Sequence, residues 1–186
     1  MYVRLASPLQ RDSIVDGEGL RTVIWFQGCA HNCFGCHNPS THDFESGFLQ
    51  DIEELKKQLK KSCYQDGVTL SGGDPFFQLD AATEIARFCQ SIGLSVWAYT
   101  GYTFEQLMIL AKKNKKIIEL LENIDVLVDG RFDITKKTLN YKFRGSKNQR
   151  IIDVKKSLKQ EKPVIITKYD QNEPYITYQK EKHMYI

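Results

Sequence analysis

Short runs of β-branched and aromatic residues alternate along the chain with longer segments in which hydrophobic residues recur every three or four positions. The short runs predict strands at 22–26, 68–70, 94–99 and 124–128, with 164–167 as a candidate fifth strand. The longer segments predict amphipathic helices at 49–61, 79–90, 103–112 and 115–122. Alternating strands and helices predict an α/β fold with a parallel sheet, because a helical crossover returns the chain to the same end of the sheet.

Polar or glycine-rich segments directly follow four of the predicted strands. These segments are the cysteine-rich loop after 22–26, Ser71–Pro75, Tyr99–Tyr102 and Asp129–Arg131. The carboxyl ends of parallel strands lie at one edge of a sheet, where α/β proteins bind their ligands. We therefore expect these segments to form one shared site.

The composition is that of an ordinary globular protein, with 41% hydrophobic residues, 26% charged residues and a formal net charge of +3. This weak charge, without a basic block, argues against nucleic acid as a partner. No apolar run approaches the roughly 18 residues of a membrane span, and residues 1–10 lack the apolar centre of a signal peptide. We expect a single cytoplasmic domain, residues 1–186, with no membrane partner.

Three of the five cysteines, Cys29, Cys33 and Cys36, fall within eight residues. A disulfide framework would use an even number with wider spacing, so clustered thiols in a reducing compartment indicate a metal site. Three thiolates on a 4Fe–4S cluster would leave one iron open to another ligand. Cys63 and Cys89 fall on predicted helices and are interpreted as small buried apolar residues.

The cysteine loop is also compatible, on the residues alone, with two kinds of site that hold no cluster. One is a zinc-stabilised binding module that uses the three cysteines with His31 or His37, although zinc sites usually combine two knuckles or add a distant histidine pair. The second is a set of free thiols, which would be prone to oxidation at this spacing. For His31 itself, a solvated loop side chain is the favoured interpretation.

The Cys-x3-Cys-x2-Cys spacing resembles the signature loop of radical S-adenosylmethionine (SAM) enzymes. The neighbouring sequence resembles one branch, the anaerobic ribonucleoside-triphosphate reductase activating enzymes, in which glycine commonly stands at the position of Gly35. The matching stretches are Val15–Arg21, Gly35–Pro39, Leu70–Pro75, Trp97–Tyr102, Val126–Phe132 and Arg144–Arg150. The resemblance covers 12–152, leaves 155–186 as a C-terminal extension, and implies a radical-SAM-type partial (βα) barrel.

This resemblance implies that Cys29, Cys33 and Cys36 hold a 4Fe–4S cluster and that SAM binds its open iron. The residues implied to contact SAM are Gly35, Cys36, His37, Gly72, Gly73, Asp74, Tyr99, Thr100 and Asp129. Gly72–Pro75 corresponds to a Gly-Gly-Glu-Pro segment that receives the methionine amino group. From the residues alone, Asp74 could instead cap a helix and Asp129 could cap loop amides.

The implied reaction begins with an electron from an external donor such as flavodoxin. SAM is cleaved to methionine and a 5′-deoxyadenosyl radical, which generates a glycyl radical on anaerobic ribonucleoside-triphosphate reductase. No side-chain acid or base is needed, so no catalytic side chain is predicted. An activator of another glycyl radical enzyme, such as pyruvate formate-lyase, is the alternative. Those activators are usually longer, and many carry inserted ferredoxin-like cysteines that this sequence lacks.

Overall fold

The computed structural model describes residues 1–62 and 64–170, which form a mixed α/β fold. The strands are β1 Tyr2–Leu5, β2 Gln10–Ser13, β3 Arg21–Phe26, β4 Phe48–Asp51, β5 Gly67–Gly72, β6 Ser95–Tyr99, β7 Val126–Asp129 and β8 Arg150–Asp153. The α-helices are α1 Ile52–Lys60, α2 Leu79–Ser91, α3 Phe104–Ala111, α4 Lys116–Glu122 and α5 Val154–Gln160. Cys63 and the last part of the predicted C-terminal extension, 171–186, lie outside the described residues. None of the described helices is long and apolar enough to cross a membrane.

The strands form one sheet in the order β4-β1-β3-β5-β6-β7-β8, with β2 paired to β3. The four strands predicted with most support are β3, β5, β6 and β7, which are neighbours and pair in parallel, as predicted. The prediction of a parallel sheet holds only for this centre, because β1, β2, β4 and β8 pair antiparallel. β8, for example, follows β7 through a loop without an α-helix, so it returns in the opposite direction.

The helix predicted at 49–61 begins three residues later than expected. Asp51 is its N-cap, and the carboxylate accepts hydrogen bonds from the backbone N–H groups of Glu53 and Glu54. The preceding residues form β4 instead, so Leu49 is 59% exposed rather than packed on the core face of a helix.

The prediction of a fifth strand at 164–167 is also wrong. Of this segment, Ile165 makes a single bridge to Ile152 of β8. Pro163, which precedes the segment, has no N–H to donate to a ladder, and the chain turns into a 3-10 helix at Thr167. The segment therefore pairs with the outer edge of β8 only through this bridge and its two backbone hydrogen bonds, Asp153 to Val164 and Ile166 to Ile151, and adds no strand.

Alternate residues of the central strands face two separate hydrophobic layers. Val96 and Leu127 pack with residues from the helices in the larger core cluster. Trp97 and Val128, their direct neighbours in sequence, belong to a smaller cluster that includes Tyr169. Because successive strand residues point to opposite faces, the helices cover one face and loop residues cover the other.

Arg21 is a fully buried cation at the start of β3, with 1% exposure. Its guanidinium donates to the carbonyls of Glu18, Val68 and Ser95 and to the hydroxyls of Thr69 and Ser95. Burial lowers the pKa of Arg21 to about 10, so the group stays charged at neutral pH. The side chain ties the beginnings of β3, β5 and β6 together, at the opposite end of the strands from the cysteine loop.

We predict that Arg21→Met destabilises the fold by about 3 kcal/mol, because buried carbonyl acceptors left without a donor cost about 1–3 kcal/mol each. Arg87, whose side chain is 58% exposed, provides the control; Arg87→Met should change stability by less than about 0.5 kcal/mol. Urea unfolding followed by circular dichroism measures both. Equal midpoints for the two variants would contradict the role assigned to Arg21.

Candidate iron–sulfur site

The loop that carries the three cysteines leaves the carboxyl end of β3 and is closed at its base. The backbone N–H of Gly28 donates to the carbonyl of Thr41 at 2.9 Å, and that of Cys29 donates to the carbonyl of His42 at 3.1 Å. The side-chain amide of buried Gln27 donates to two further carbonyls at the far end of the loop. These hydrogen bonds therefore fix the two ends of the loop that carries the cysteines.

The residues at the carboxyl end of β5, Gly72 and Gly73, contact the start of this loop so closely that only glycine fits. A Cβ on Gly73 would lie 2.4 Å from the carbonyl oxygen of Gly28. Gly72 has φ +97°, and a Cβ there would lie 2.6 Å from the carbonyl oxygen of Phe26. The N–H of Asp74 donates to the carbonyl of Gly28 at 3.0 Å. The segments that follow β3 and β5 are therefore hydrogen-bonded to each other.

The three cysteines, all half-buried, line one cavity of about 130 Å³ at the carboxyl ends of the central strands. The predicted SAM contacts that line the same cavity are Cys36, His37, Gly72, Gly73, Asp74, Tyr99 and Thr100. With Gly130 also in the lining, the structure confirms that the segments after all four central strands meet at one site. Gly35 lies instead on the outer side of the loop, where a Cβ would meet Ile134 at 2.9 Å.

A backbone N–H group points at each cysteine sulfur. The N–H of Asn38 lies 3.4 Å from Sγ of Cys36, the backbones of His31 and Asn32 bond Cys29, and that of Phe132 bonds Cys33. Burial raises the pKa of Cys29 to about 11 and also raises the pKa of Cys33, so both thiols are protonated at neutral pH until a metal displaces the protons. Amides directed at sulfur suit an anionic iron–sulfur cluster, whose charge they stabilise.

The donor geometry fits a cluster better than a single ion. Within residues 1–62 and 64–170, no group of three or more His, Cys, Asp or Glu side chains is placed to hold one metal ion. A zinc site needs four ligands around one ion, whereas a cluster distributes its cysteines over different irons. Three thiols around one small cavity, each facing an amide, fit the second arrangement.

His31 is buried, with 8% exposure, and not solvated as the sequence suggested. Its Nε2 lies 2.8 Å from Oδ2 of Asp74. The ring packs against Phe77 and Tyr102, with centroid distances of 5.5 Å and 4.5 Å. A single histidine in a loop has no periodic pattern, and its partner lies 43 residues away in sequence, so no local signal predicts this contact.

Asp74 caps a helix and also joins neighbouring loops. Its carboxylate is 1% exposed, and Oδ1 accepts from the N–H of Phe76 at 2.9 Å, which caps the 3-10 helix Pro75–Phe77. Oδ2 accepts from the Thr100 hydroxyl at 2.8 Å and from the N–H of Gly101 at 3.0 Å. The capping alternative considered for Asp74 is therefore present in the structure, together with contacts to the β6 exit.

Asp129 is directed away from the cysteine cavity. It is 1% exposed, and its Oδ2 accepts from the N–H of Phe104 at 2.7 Å at the start of α3. Its Oδ1 accepts from Nε of Arg150 at 2.9 Å, and Arg150 also bonds Glu105. The Arg150 hydrogen bond lowers the pKa of Glu105 to about 2. These contacts correspond to the capping alternative for Asp129.

A larger groove of about 650 Å³ adjoins the cysteine cavity. The two share the wall residues His37, Asn38, Ser71, Tyr99 and Gln149. Ser71 and Gln149 were not singled out from the sequence, although both fall within matching stretches. The groove is also lined by the hydrophobic side chains of Ile14, Val15 and Leu139, which are 71%, 69% and 75% exposed.

Residues 15–152, which include all three clustered cysteines, match the sequence family described as a 4Fe-4S single cluster domain. The chain is 36% identical over 148 residues to the anaerobic ribonucleoside-triphosphate reductase-activating protein of Enterobacteria phage T4, covering 74% of this chain and 86% of that protein. The proteins of the same name from Haemophilus influenzae and Escherichia coli K12 are 34% and 33% identical, with 73% of this chain and 89% and 90% of theirs covered.

We predict that Cys29→Ala, Cys33→Ala and Cys36→Ala each lose most of the iron and the broad visible absorption after anaerobic reconstitution, because each removes one thiolate ligand. Cys89→Ala is the matched control: Cys89 is buried in the core at 0% exposure, away from the cavity, and its variant should load normally. Iron and sulfide analysis gives the result. Full cluster content in Cys36→Ala would refute the ligand assignment.

Proposed function

Since the chain belongs to the family of anaerobic ribonucleoside-triphosphate reductase-activating proteins, we propose that it generates a glycyl radical on such a reductase by reductive cleavage of SAM. The observation that carries the proposal is the single cavity at the strand exits, which is lined by Cys29, Cys33 and Cys36 and adjoins an open groove. In this proposal the three thiolates hold a 4Fe–4S cluster and leave one iron for SAM.

The chain's own contribution is to bind, orient and shield the reacting groups. When bound, the cluster supplies the electron that splits SAM into methionine and a 5′-deoxyadenosyl radical, and an external one-electron donor such as flavodoxin restores it. Cys29 and Cys33 sit in half-buried positions beside the closed loop base, which limits water at the site. No described side chain has to act as an acid or base.

In this proposal the methionine end of SAM would bind where the chain leaves β5. The backbone carbonyls of Gly72 and Gly73, which have no side chains to block approach, would accept from its ammonium group, while Asp74 is held by contacts within the protein. The nucleoside would lie at the wall that the cavity shares with the groove, beside His37 and Tyr99, and would leave the outer part of the groove free.

The exposed side of the groove is the proposed docking surface for the reductase. Ile14, Val15 and Leu139 are exposed hydrophobic residues in its lining, and exposed hydrophobic surface is typical of protein interaction sites. A glycine-bearing segment of the partner laid along this groove would reach the cavity between His37 and Tyr99. The radical takes a hydrogen from the glycine Cα, which yields 5′-deoxyadenosine and the glycyl radical.

The central parallel strands support the proposed radical-SAM-type partial barrel. β3, β5, β6 and β7 pair in parallel, and the segments that follow all four line the cavity. In the proposed architecture, the sheet curves around the cofactors and 1–186 act as one domain.

We predict that the reconstituted and reduced protein converts SAM to methionine and 5′-deoxyadenosine, slowly when no reductase is present. Chromatography of acid-quenched mixtures measures the products. Gly73→Ala should reduce product formation by at least about tenfold, because its methyl group would overlap the backbone of Gly28. Gly93→Ala is the control for general strain: its left-handed backbone (φ +84°) disfavours alanine, but a Cβ there meets nothing within 4 Å, so the site should be unchanged. An intact, reducible cluster without any 5′-deoxyadenosine would exclude the proposed chemistry.

We predict that anaerobic mixing with the co-encoded reductase, SAM and a reductant gives a glycyl radical doublet in electron paramagnetic resonance. The signal should disappear with Cys36→Ala, because this variant lacks one proposed cluster ligand. Replacement of Leu139, 75% exposed in the groove, by Asp should weaken activation while leaving SAM cleavage without reductase unchanged. A doublet that forms only with a formate-lyase-type partner would show that the target is a different glycyl radical enzyme.

A further inference from the structure

One carboxylate oxygen connects three of the segments that line the cysteine cavity. Oδ2 of Asp74, at the β5 exit, is 2.8 Å from Nε2 of His31 in the cysteine loop. The same oxygen accepts from the Thr100 hydroxyl at 2.8 Å and from the N–H of Gly101 at 3.0 Å, both at the β6 exit. All the side chains involved are buried, with exposures of 8% for His31, 1% for Asp74 and 5% for Thr100.

The Asp74 carboxylate is engaged mainly by other parts of the protein. Its Oδ2 contacts His31, Thr100 and the N–H of Gly101, and its Oδ1 accepts from the N–H of Phe76. Because both oxygens face donors, an amide, which has only one oxygen, suits the position poorly.

His31 transmits this anchoring to the cysteines. It lies two residues from both Cys29 and Cys33, and its ring fills the space directly above Gly101, where a Cβ would come within 2.3 Å of the imidazole. Tyr102 contacts the ring edge-on at a centroid distance of 4.5 Å. These contacts hold the ring against the loop that follows β6, and with it the Cys29–Cys33 segment.

We propose that His31 and Asp74 are positioning residues for the iron–sulfur cluster: their hydrogen bond holds the cysteine loop over the exits of β5 and β6. This inference rests on the cluster assignment within the proposed function, and it is independent of SAM cleavage. Partners that orient metal ligands from outside the ligand set typically change metal retention by about 10–100-fold when removed.

The test compares His31→Leu, which keeps bulk but has no donor, with His31→Gln, whose amide can still donate to Asp74. Each protein is reconstituted anaerobically, and the half-life of its visible absorption is measured in excess chelator. We expect His31→Leu to lose the cluster on the order of ten times faster than the parent chain. His31→Gln should restore most of the retention, and the reduced cluster's paramagnetic resonance spectrum should shift in His31→Leu and return in His31→Gln.

Asp74→Asn tests the other partner, and Asp80→Asn is its matched control. Asp80 is an exposed carboxylate that pairs with Lys116 on the surface. Asp74→Asn should lose the cluster as fast as His31→Leu, because the NH2 of asparagine is a donor and would face another donor in place of one carboxylate oxygen. Asp80→Asn should match the parent chain. Circular dichroism verifies folding. If His31→Leu does not fold, Thr100→Val, which removes one donor to the same oxygen, takes its place and should show a smaller acceleration.

Parent-like retention and spectrum in a folded His31→Leu or Thr100→Val variant would overturn the proposal. The same holds if His31→Gln behaves no better than His31→Leu, since the hydrogen bond would then be irrelevant. Neither readout requires SAM or reductase. A parent chain that holds its cluster without cleaving SAM would therefore overturn the proposed function and leave the positioning role intact.

Discussion

The buried carboxylate of Asp74 is the constraint on which the site depends. A charged group without contact with water is tolerated only when its hydrogen-bonding capacity is filled, since an unpaired buried charge costs several kcal/mol. Here the donors come from the cysteine loop, the β6 exit and the following 3-10 turn. All three segments are therefore bonded to the same carboxylate, and the loss of one contact would affect the positions of the others.

The parallel pairing of β3, β5 and β6 explains why such an interaction is available. Their carboxyl ends lie at the same edge of the sheet, so residues far apart in sequence are brought within hydrogen-bonding distance. At the opposite end, buried Arg21 ties the same three strands through neutral acceptors. One anion and one cation, at opposite ends of the sheet, thus fix the strands that carry the site.

Hydrophobic periodicity was enough to predict the four central strands, most helices and the shared edge, because buried parallel strands are continuous apolar runs. It failed for short peripheral strands: β2 spans Gln10–Ser13 and is almost wholly polar. β4 was assigned to a helix because Leu49 continues the spacing of α1, and only the cap at Asp51 separates them. The burial of His31 and the inward contacts of Asp129 depend on tertiary partners that no local pattern reveals.

The cysteine loop differs in one respect from small metal-binding modules whose folding is driven by the metal. Its position depends on Asp74, which lies 43 residues from His31 in sequence. Asp74 in turn is bonded by Thr100, 26 residues further along the chain. A peptide of residues 28–42 alone would contain the three clustered thiols and the hydrogen bonds at the loop base, but not the contacts of Gly28 and His31 with Asp74. A cluster held by these thiols would therefore be assembled after the sheet has formed, because the residues that position the loop come from neighbouring strand ends.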